Sequence, residues 1–222
     1  MADTIGLIFD LDGTLIDSAP DIHATANKVF AAHGQPGFDF ATLRSFIGNG
    51  VGVLVARLLA HQGLPDDADL HHRMVAEFIN VYEEAFDLTT LYPNVPEALA
   101  QLAGRGHPLA ICTNKPTGPA RSVLRHFGLD RHFGVIVGGD TLPQRKPHPA
   151  PLLAARTRLG CDRVLFVGDS EVDAETASRA NIAFALFTNG YRNCAVESLG
   201  AKAIFDDFAA LPGLVTHLSA RL

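Results

Sequence analysis

Five short apolar runs punctuate the chain, at Ile5 to Phe9, Leu109 to Cys112, Val135 to Val137, Val164 to Val167 and Ile182 to Phe187. Runs of this length with almost no polar interruption suit strands buried on both faces of a parallel sheet. Between them apolar positions recur at helical spacing: Val95, Leu99 and Leu102, then Val123, Leu124 and Phe127, then Leu152, Leu153 and Leu159. Strand and helix alternate, which predicts helices packed on both faces of one sheet.

The rhythm fails once. After the first run, roughly seventy residues of helical pattern pass before the alternation resumes near Tyr92-Pro93, far more than a structureless loop in a compact domain. Ile22, Ala26, Val29, Phe30 and His33 share one helical face, and Val75, Phe78, Ile79, Tyr82 and Phe86 mark a second long amphipathic helix. Between them, Gly48-Asn49-Gly50-Val51-Gly52 is a flexible turn opening a third helix over Val53 to Leu59, placed to act as a lid contact. The expected fold is α/β, a doubly wound Rossmann-like parallel sheet core over 1–16 and 90–222 with an inserted α-helical cap over 17–89.

Composition narrows the function. The 222 residues are 47% apolar and 19% charged, which describes a folded globular protein. A formal net charge of -6 and a pI of 5.9 argue against a polyanion-binding surface, so no nucleic-acid partner is expected. Two of the lysines, Lys115 and Lys146, sit in loops that carry chemistry, so positive charge is placed locally. Cys112, Cys161 and Cys194 form neither a disulfide framework nor a zinc pattern, which suits a reducing cytoplasm. The run Ile5 to Phe9 is too short for a signal-peptide core, and no run reaches membrane-spanning length. The expectation is a soluble, unprocessed cytoplasmic protein without a membrane partner, monomeric or homodimeric.

The first strand ends in Phe9-Asp10-Leu11-Asp12-Gly13-Thr14, and residues two apart in extended chain point to one side. Ligands of open α/β sheets bind beyond the carboxyl ends of the strands, where this pair falls. Alone, Asp-x-Asp is as compatible with a turn as with a site. Three more strand ends add to it: Thr113-Asn114-Lys115 after the second, Arg145-Lys146-Pro147 after the third, and Gly168-Asp169-Ser170 after the fourth, with Asp173 one helical turn on. Asp10, Asp12, Asp169 and Asp173 gathered in one pocket repel each other and an incoming phosphate, so the site calls for a cation. Carboxylate oxygens without nearby His or Cys favour Mg²⁺. Lys146 supplies a fixed positive charge, and the Thr113 hydroxyl with backbone N–H groups completes a phosphate cradle.

This arrangement resembles the haloacid dehalogenase-like phosphatase superfamily. Its four motifs are matched in order by Asp10-Leu11-Asp12-Gly13-Thr14, Thr113-Asn114, Lys146, and Gly168-Asp169-Ser170 with Asp173. The resemblance covers essentially the whole chain, the inserted cap included. It implies that Asp10 is a nucleophile forming a phosphoaspartate and that Asp12 is the general acid and base. Thr113 and Lys146 would bind and neutralise the phosphoryl group, with Asn114, Gly48 and Asn49 as further substrate-binding residues. A Mg²⁺ would sit on the Asp10 carboxylate, the Asp12 backbone carbonyl and Asp169, with Asp173 holding the metal or its waters.

Within the superfamily, five segments are similar to the bacterial phosphoglycolate phosphatases: Asp10 to Pro20, Ile47 to Gly50, Thr113 to Thr117, Gly138-Gly139-Asp140, and Lys146-Pro147-His148-Pro149. The expected substrate is therefore a small phosphorylated metabolite, 2-phosphoglycolate first. The competing readings are a phosphatase for another small ester, a phosphomutase, against which Thr14 speaks because the mutases tend to carry Val there, and a non-enzymatic binding protein on the same fold. Asn181 and Asn189-Gly190-Tyr191 depart from the pattern, and neither is expected to touch the chemistry. Lys115 reads as a solvated loop lysine, His71-His72 as a solvated helix face, His148 as a helix-start residue, and Cys112 as a small core residue.

Overall fold

The computed structural model describes residues 4–220. In chain order it contains β1 (Gly6–Phe9), β2 (Ile16–Asp17), α1 (Ala19–Ala32), α2 (Phe40–Ser45), α3 (Val51–His61), α4 (Ala68–Tyr82), β3 (Thr90–Leu91), α5 (Val95–Gly104), β4 (Leu109–Cys112), α6 (Thr117–His126), β5 (Phe133–Val137), α7 (Ala150–Leu159), β6 (Val164–Gly168), α8 (Glu171–Ala180), β7 (Ala183–Phe187), β8 (Ala203–Phe205) and α9 (Leu211–Ser219). Six strands form a parallel sheet in the order β5-β4-β1-β6-β7-β8. The expected α/β class and doubly wound parallel sheet are what the chain adopts.

Alternation along each strand divides the core in two. Leu7, Phe9, Leu109, Ile111, Leu165 and Val167 face one side and pack with the apolar residues of α5, α6 and α9. Ile8, Ala110, Phe166 and Phe184 face the other, against α7 and α8. Because β1 lies between β4 and β6, the strand order reverses beside it, and the residues leaving its carboxyl end enter the crevice where such sheets bind ligands.

Helices α1 to α4 bury an apolar cluster of their own around Phe30, Leu43, Leu58, Met74 and Phe78. All four lie between residues 17 and 89, the segment read from the sequence as a cap; residues 1–3 and 221–222, at the ends of the expected core, lie outside the described residues. The two chain crossings into this segment are tied together: β2 and β3 pair antiparallel, Ile16 opposite Leu91. Asp21, 4% exposed, accepts hydrogen bonds from Leu88 N at 3.1 Å and Thr89 Oγ1 at 2.6 Å, fixing the start of α1 against the return strand.

Three expectations are corrected. The third helix runs from Val51 to His61 rather than Val53 to Leu59, because Gly50 at φ 83° ends the turn. Phe86 lies beyond α4, which stops at Tyr82; its ring instead packs on the sheet-side core and on His126, ring centroids 4.4 Å apart. The chain also has strands that the apolar runs did not mark, β2, β3 and β8, each of two or three residues. Among the described residues no helix is long and apolar enough to cross a membrane.

Replacing Asp21 by Ala leaves the Leu88 N–H and the Thr89 hydroxyl without their buried acceptor. Urea unfolding is expected to report a loss of about 1–3 kcal/mol.

Candidate active site

Asp10 leaves β1 with its N–H bonded to Val167 O at 2.9 Å, so the sheet ladder fixes where its carboxylate begins. The residue is 8% exposed. Its Oδ1 lies 2.9 Å from Lys146 Nζ, an ion-pair contact that is its one charged partner of opposite sign. Lys146 Nζ donates to Asp173 Oδ1 at 2.6 Å. The other oxygen of Asp173 accepts from Ser170 Oγ at 2.7 Å and from the N–H groups of Asp169 and Ser170, each at 3.2 Å, closing the first turn of α8.

Asp169, 1% exposed, is gripped from two sides. Thr14 Oγ1 donates to its Oδ1 at 2.7 Å, and Tyr191 N donates to its Oδ2 at 2.7 Å. Gly13 and Gly190 close over the same carboxylate; a Cβ at Gly190 would fall 2.2 Å from Asp169 Oδ2, and one at Gly13, where φ is +85°, 2.5 Å from it. Both positions therefore exclude side chains.

One carboxylate oxygen from each of Asp10, Asp169 and Asp173 lies within 4.8 Å of the others. Burial pushes the Asp10 carboxyl up to about 7, against the opposing pull of Lys146. Burial also raises Asp169 well above the carboxylate range, with Asp173 and Asp10 adding to it. Burial would lower Lys146, but Asp10 and Asp173 outweigh it and hold the ammonium charged. Three buried carboxylates face one ammonium here, so the cluster is short of positive charge. An all-oxygen donor set of this kind fits a hard divalent cation.

Asp12 lies apart from this cluster. Its Oδ1 accepts from Ser18 Oγ at 2.6 Å and from Lys115 Nζ at 3.0 Å, so its carboxylate faces the substrate side. Thr113, 3% exposed, accepts the Lys115 N–H on its hydroxyl oxygen at 3.2 Å and keeps its own proton to donate. Asn114 is a clamp. Its amide nitrogen donates to Gly48 O at 3.0 Å and Lys146 O at 2.9 Å, and its oxygen accepts from Lys146 N at 3.0 Å. Both amide hydrogens are committed, so the side chain orients the Lys146 loop and the cap loop instead of reaching a substrate. Gly48 lines the cavity beside Asp10 and Asp12, whereas Asn49 lies along a separate outer groove with Arg57, His61 and Glu171.

That cavity, of about 40 Å³, is closed on the cap side by Ile22, Ile47, Val51, Leu54, Phe78 and Tyr82. Its charged residues, Asp10, Asp12 and Lys115, come with Thr113 and Asn114 from the sheet side, and the Tyr82 hydroxyl comes from α4.

Several residues behave differently from their sequence reading. Lys115 is 6% exposed rather than solvated; burial lowers its pKa, Asp12 opposes the shift, and its ammonium meets the Tyr82 hydroxyl. The Asn189-Gly190-Tyr191 loop does touch the site. Besides the bond to Asp169, the Tyr191 hydroxyl accepts from the N–H groups of Ser18 at 2.8 Å and Ala19 at 3.0 Å and donates to Asp17 Oδ1 at 2.8 Å. Arg44 of α2 stacks 5.1 Å over that ring and donates to Gly190 O at 2.8 Å. A glycine–tyrosine pair directly after the last long strand was the available signal. Asn181 occupies the left-handed end of α8 at φ 52°, which Asn tolerates nearly as Gly does. His71 is not simply solvated: its Nε2 lies 2.8 Å from Gly52 O on α3. His148 accepts from Ala150 N at 3.1 Å at the start of α7, and Cys112 is a buried strand residue whose thiol burial pushes up to about 12.

Comparison with known proteins agrees with this geometry. Residues 7–187 match the family model described as haloacid dehalogenase-like hydrolase. The chain is 49% identical over 216 residues to a phosphoglycolate phosphatase of Cereibacter sphaeroides, covering 97% of this chain and 99% of that protein. It is 44% identical over 212 residues to one of Rhodospirillum rubrum, covering 92% and 88%. Among solved structures, a protein of Haemophilus somnus described as a predicted phosphoglycolate phosphatase superposes with a TM-score of 0.90 at 34% identity, covering 97% of this chain and 99% of that one. The chain belongs to the haloacid dehalogenase-like hydrolases.

Proposed function

We propose that the chain is a Mg²⁺-dependent phosphatase that hydrolyses 2-phosphoglycolate to glycolate and phosphate, with residues 17–89 acting as its cap. The observation that carries the reading is the juxtaposition of Asp10, 2.9 Å from the Lys146 ammonium, with the charge-deficient cluster of Asp10, Asp169 and Asp173, facing apolar side chains of α1, α3 and α4. Relatives at 44% to 49% identity that carry the phosphoglycolate phosphatase name support the substrate. The cavity supports a small one. A sugar phosphate would press its hydroxyls against Ile22, Val51, Leu54 and Phe78, where they would lose water without gaining partners.

In this reading an Asp10 oxygen attacks phosphorus as the ester P–O bond breaks, and Asp12 gives its proton to the departing alkoxide. Asp12 then takes a proton from water, whose oxygen attacks the phosphoaspartate, releasing phosphate and restoring Asp10. Lys146 and the Thr113 hydroxyl balance charge on the phosphoryl oxygens throughout. Asp10, the Asp12 backbone carbonyl and Asp169 would hold the Mg²⁺, with Asp173 keeping Lys146 and the α8 loop in place beside it. When bound, the ion supplies the positive charge that three buried carboxylates and a phosphate lack.

A panel of phosphorylated metabolites ranked by kcat/KM tests the substrate: 2-phosphoglycolate should lead, and EDTA should abolish turnover until Mg²⁺ is restored. A sugar phosphate at the head of the ranking would refute the assignment. Asp10→Asn should eliminate turnover while circular dichroism shows the fold intact; near-normal activity, with deamidation excluded by mass spectrometry, would remove the nucleophile.

Gly190→Ala drives a methyl group into Asp169. Displacement of a positioning group by about 1 Å costs on the order of 100-fold in rate, so steady-state kinetics should show a loss of that size, accompanied by weaker Mg²⁺ binding.

A further inference from the structure

Lys115 is the charged group of the pocket that the proposed chemistry does not use. Its side chain is 4% exposed, and a lysine so deeply buried needs anionic or hydrogen-bonding partners. It has two: Asp12 Oδ1 at 3.0 Å and the Tyr82 hydroxyl, with the ammonium 3.9 Å from the Tyr82 ring centroid. An ammonium carries three hydrogens, and among the described residues no acceptor takes the third. Asp12 does not depend on it, since Ser18 Oγ donates to the same oxygen at 2.6 Å.

We infer that Lys115 reads the carboxylate of the substrate, its ammonium held by Asp12 and Tyr82 at the leaving-group side of the cavity. The inference rests on the proposed phosphatase reading and deepens it. Thr113 and Lys115 stand two residues apart on one loop, and both line the cavity with Asp10 and Asp12. A phosphoryl group at Asp10 and Thr113 turns its ester oxygen toward Asp12. In 2-phosphoglycolate one methylene separates that oxygen from the carboxylate, so the anion arrives beside Lys115. The side chains of Ile22, Ile47, Leu54 and Phe78, which also wall the cavity, offer a carboxylate no partner. Tyr82 comes from α4, so the reader is complete only with the cap seated. An uncharged leaving group leaves Lys115 unread, and a larger one clashes with the apolar wall.

The test is the ratio of kcat/KM for 2-phosphoglycolate over ethyl phosphate, measured with Mg²⁺ in the wild type, Lys115→Met and Lys115→Gln. A charge-assisted contact to a carboxylate sets the expectation that this ratio falls about 10- to 100-fold in both variants, whatever loss the two esters share. Calorimetric binding of 3-phosphonopropionate against propylphosphonate gives the same comparison without turnover, and the preference for the carboxylate ligand should shrink equally. A wild-type preference that survives both substitutions overturns the role of Lys115 alone, leaving it a partner of Asp12. A wild type with no preference for the carboxylate ester overturns the substrate reading and this inference together.

Discussion

A buried ammonium holds this site in shape: Lys146 Nζ stands 2.9 Å from Asp10 and 2.6 Å from Asp173, with Asp169 beside them. Such a pair is a poor source of stability, since desolvating both charges offsets most of their attraction. Its value is positional. The loop that delivers Lys146 is clamped at both its N–H and its carbonyl by Asn114, so the ammonium cannot drift without breaking that amide's bonds. Asn114 is fixed in turn by the approach of Gly139, where a Cβ would come 2.2 Å from the Asn114 carbonyl oxygen. A glycine and a lysine of the β5–α7 loop, joined through an amide of the β4–α6 loop, thus form a chain that ends on Asp10.

The same groups sense the cap. The second hydrogen of the Asn114 amide goes to Gly48 O, Lys115 reaches Tyr82, and Arg44 grips Gly190 next to the residues that hold Asp169. These contacts tie the helices α1 to α4 to two of the loops that place charge, the one between β4 and α6 and the one after β7. That coupling matters for phosphoryl transfer, where the protein contributes positioning and charge balance more than covalent chemistry. It also removes water from the space in which a phosphoaspartate forms.

The sheet was legible because buried parallel strands read as unbroken apolar runs, and the carboxylates because they stand at the ends of those runs. Asp10, Thr113, Lys146 and Asp169 lie where strand-end logic puts them. What escaped was whatever depends on a partner distant in sequence. The pairing of β2 with β3 joins residues more than seventy positions apart and is two residues long, too short for any periodicity. Lys115 has a loop lysine's local context, and only the packing of α4 over it reveals a buried cation. Tyr191 looked incidental because its work, N–H groups of Ser18 and Ala19 on one end and Asp169 on the other, spans 173 residues of chain. Asn114, read from the sequence as substrate-binding, spends its side-chain hydrogen-bond capacity on backbone groups that no sequence pattern exposes.

Thr14 shows how a position can mark a family while acting by another route. The resemblance sets Thr14 against the Val that mutases tend to carry, without saying how the residue acts. Its hydroxyl donates to Asp169 Oδ1 at 2.7 Å, and the residue is fully buried. Valine has the same shape without the donor, so the substitution would act on the orientation of Asp169. The argument for hydrolysis therefore shifts to the cavity. A mutase must hold a phosphorylated sugar in two orientations, which demands room and polar partners for its hydroxyls. Here the wall facing Asp10 and Asp12 carries Ile22, Val51, Leu54 and Phe78, with the Tyr82 hydroxyl as its one polar side-chain group, so a sugar's hydroxyls would find few partners there while water, as the second acceptor, needs none from that wall.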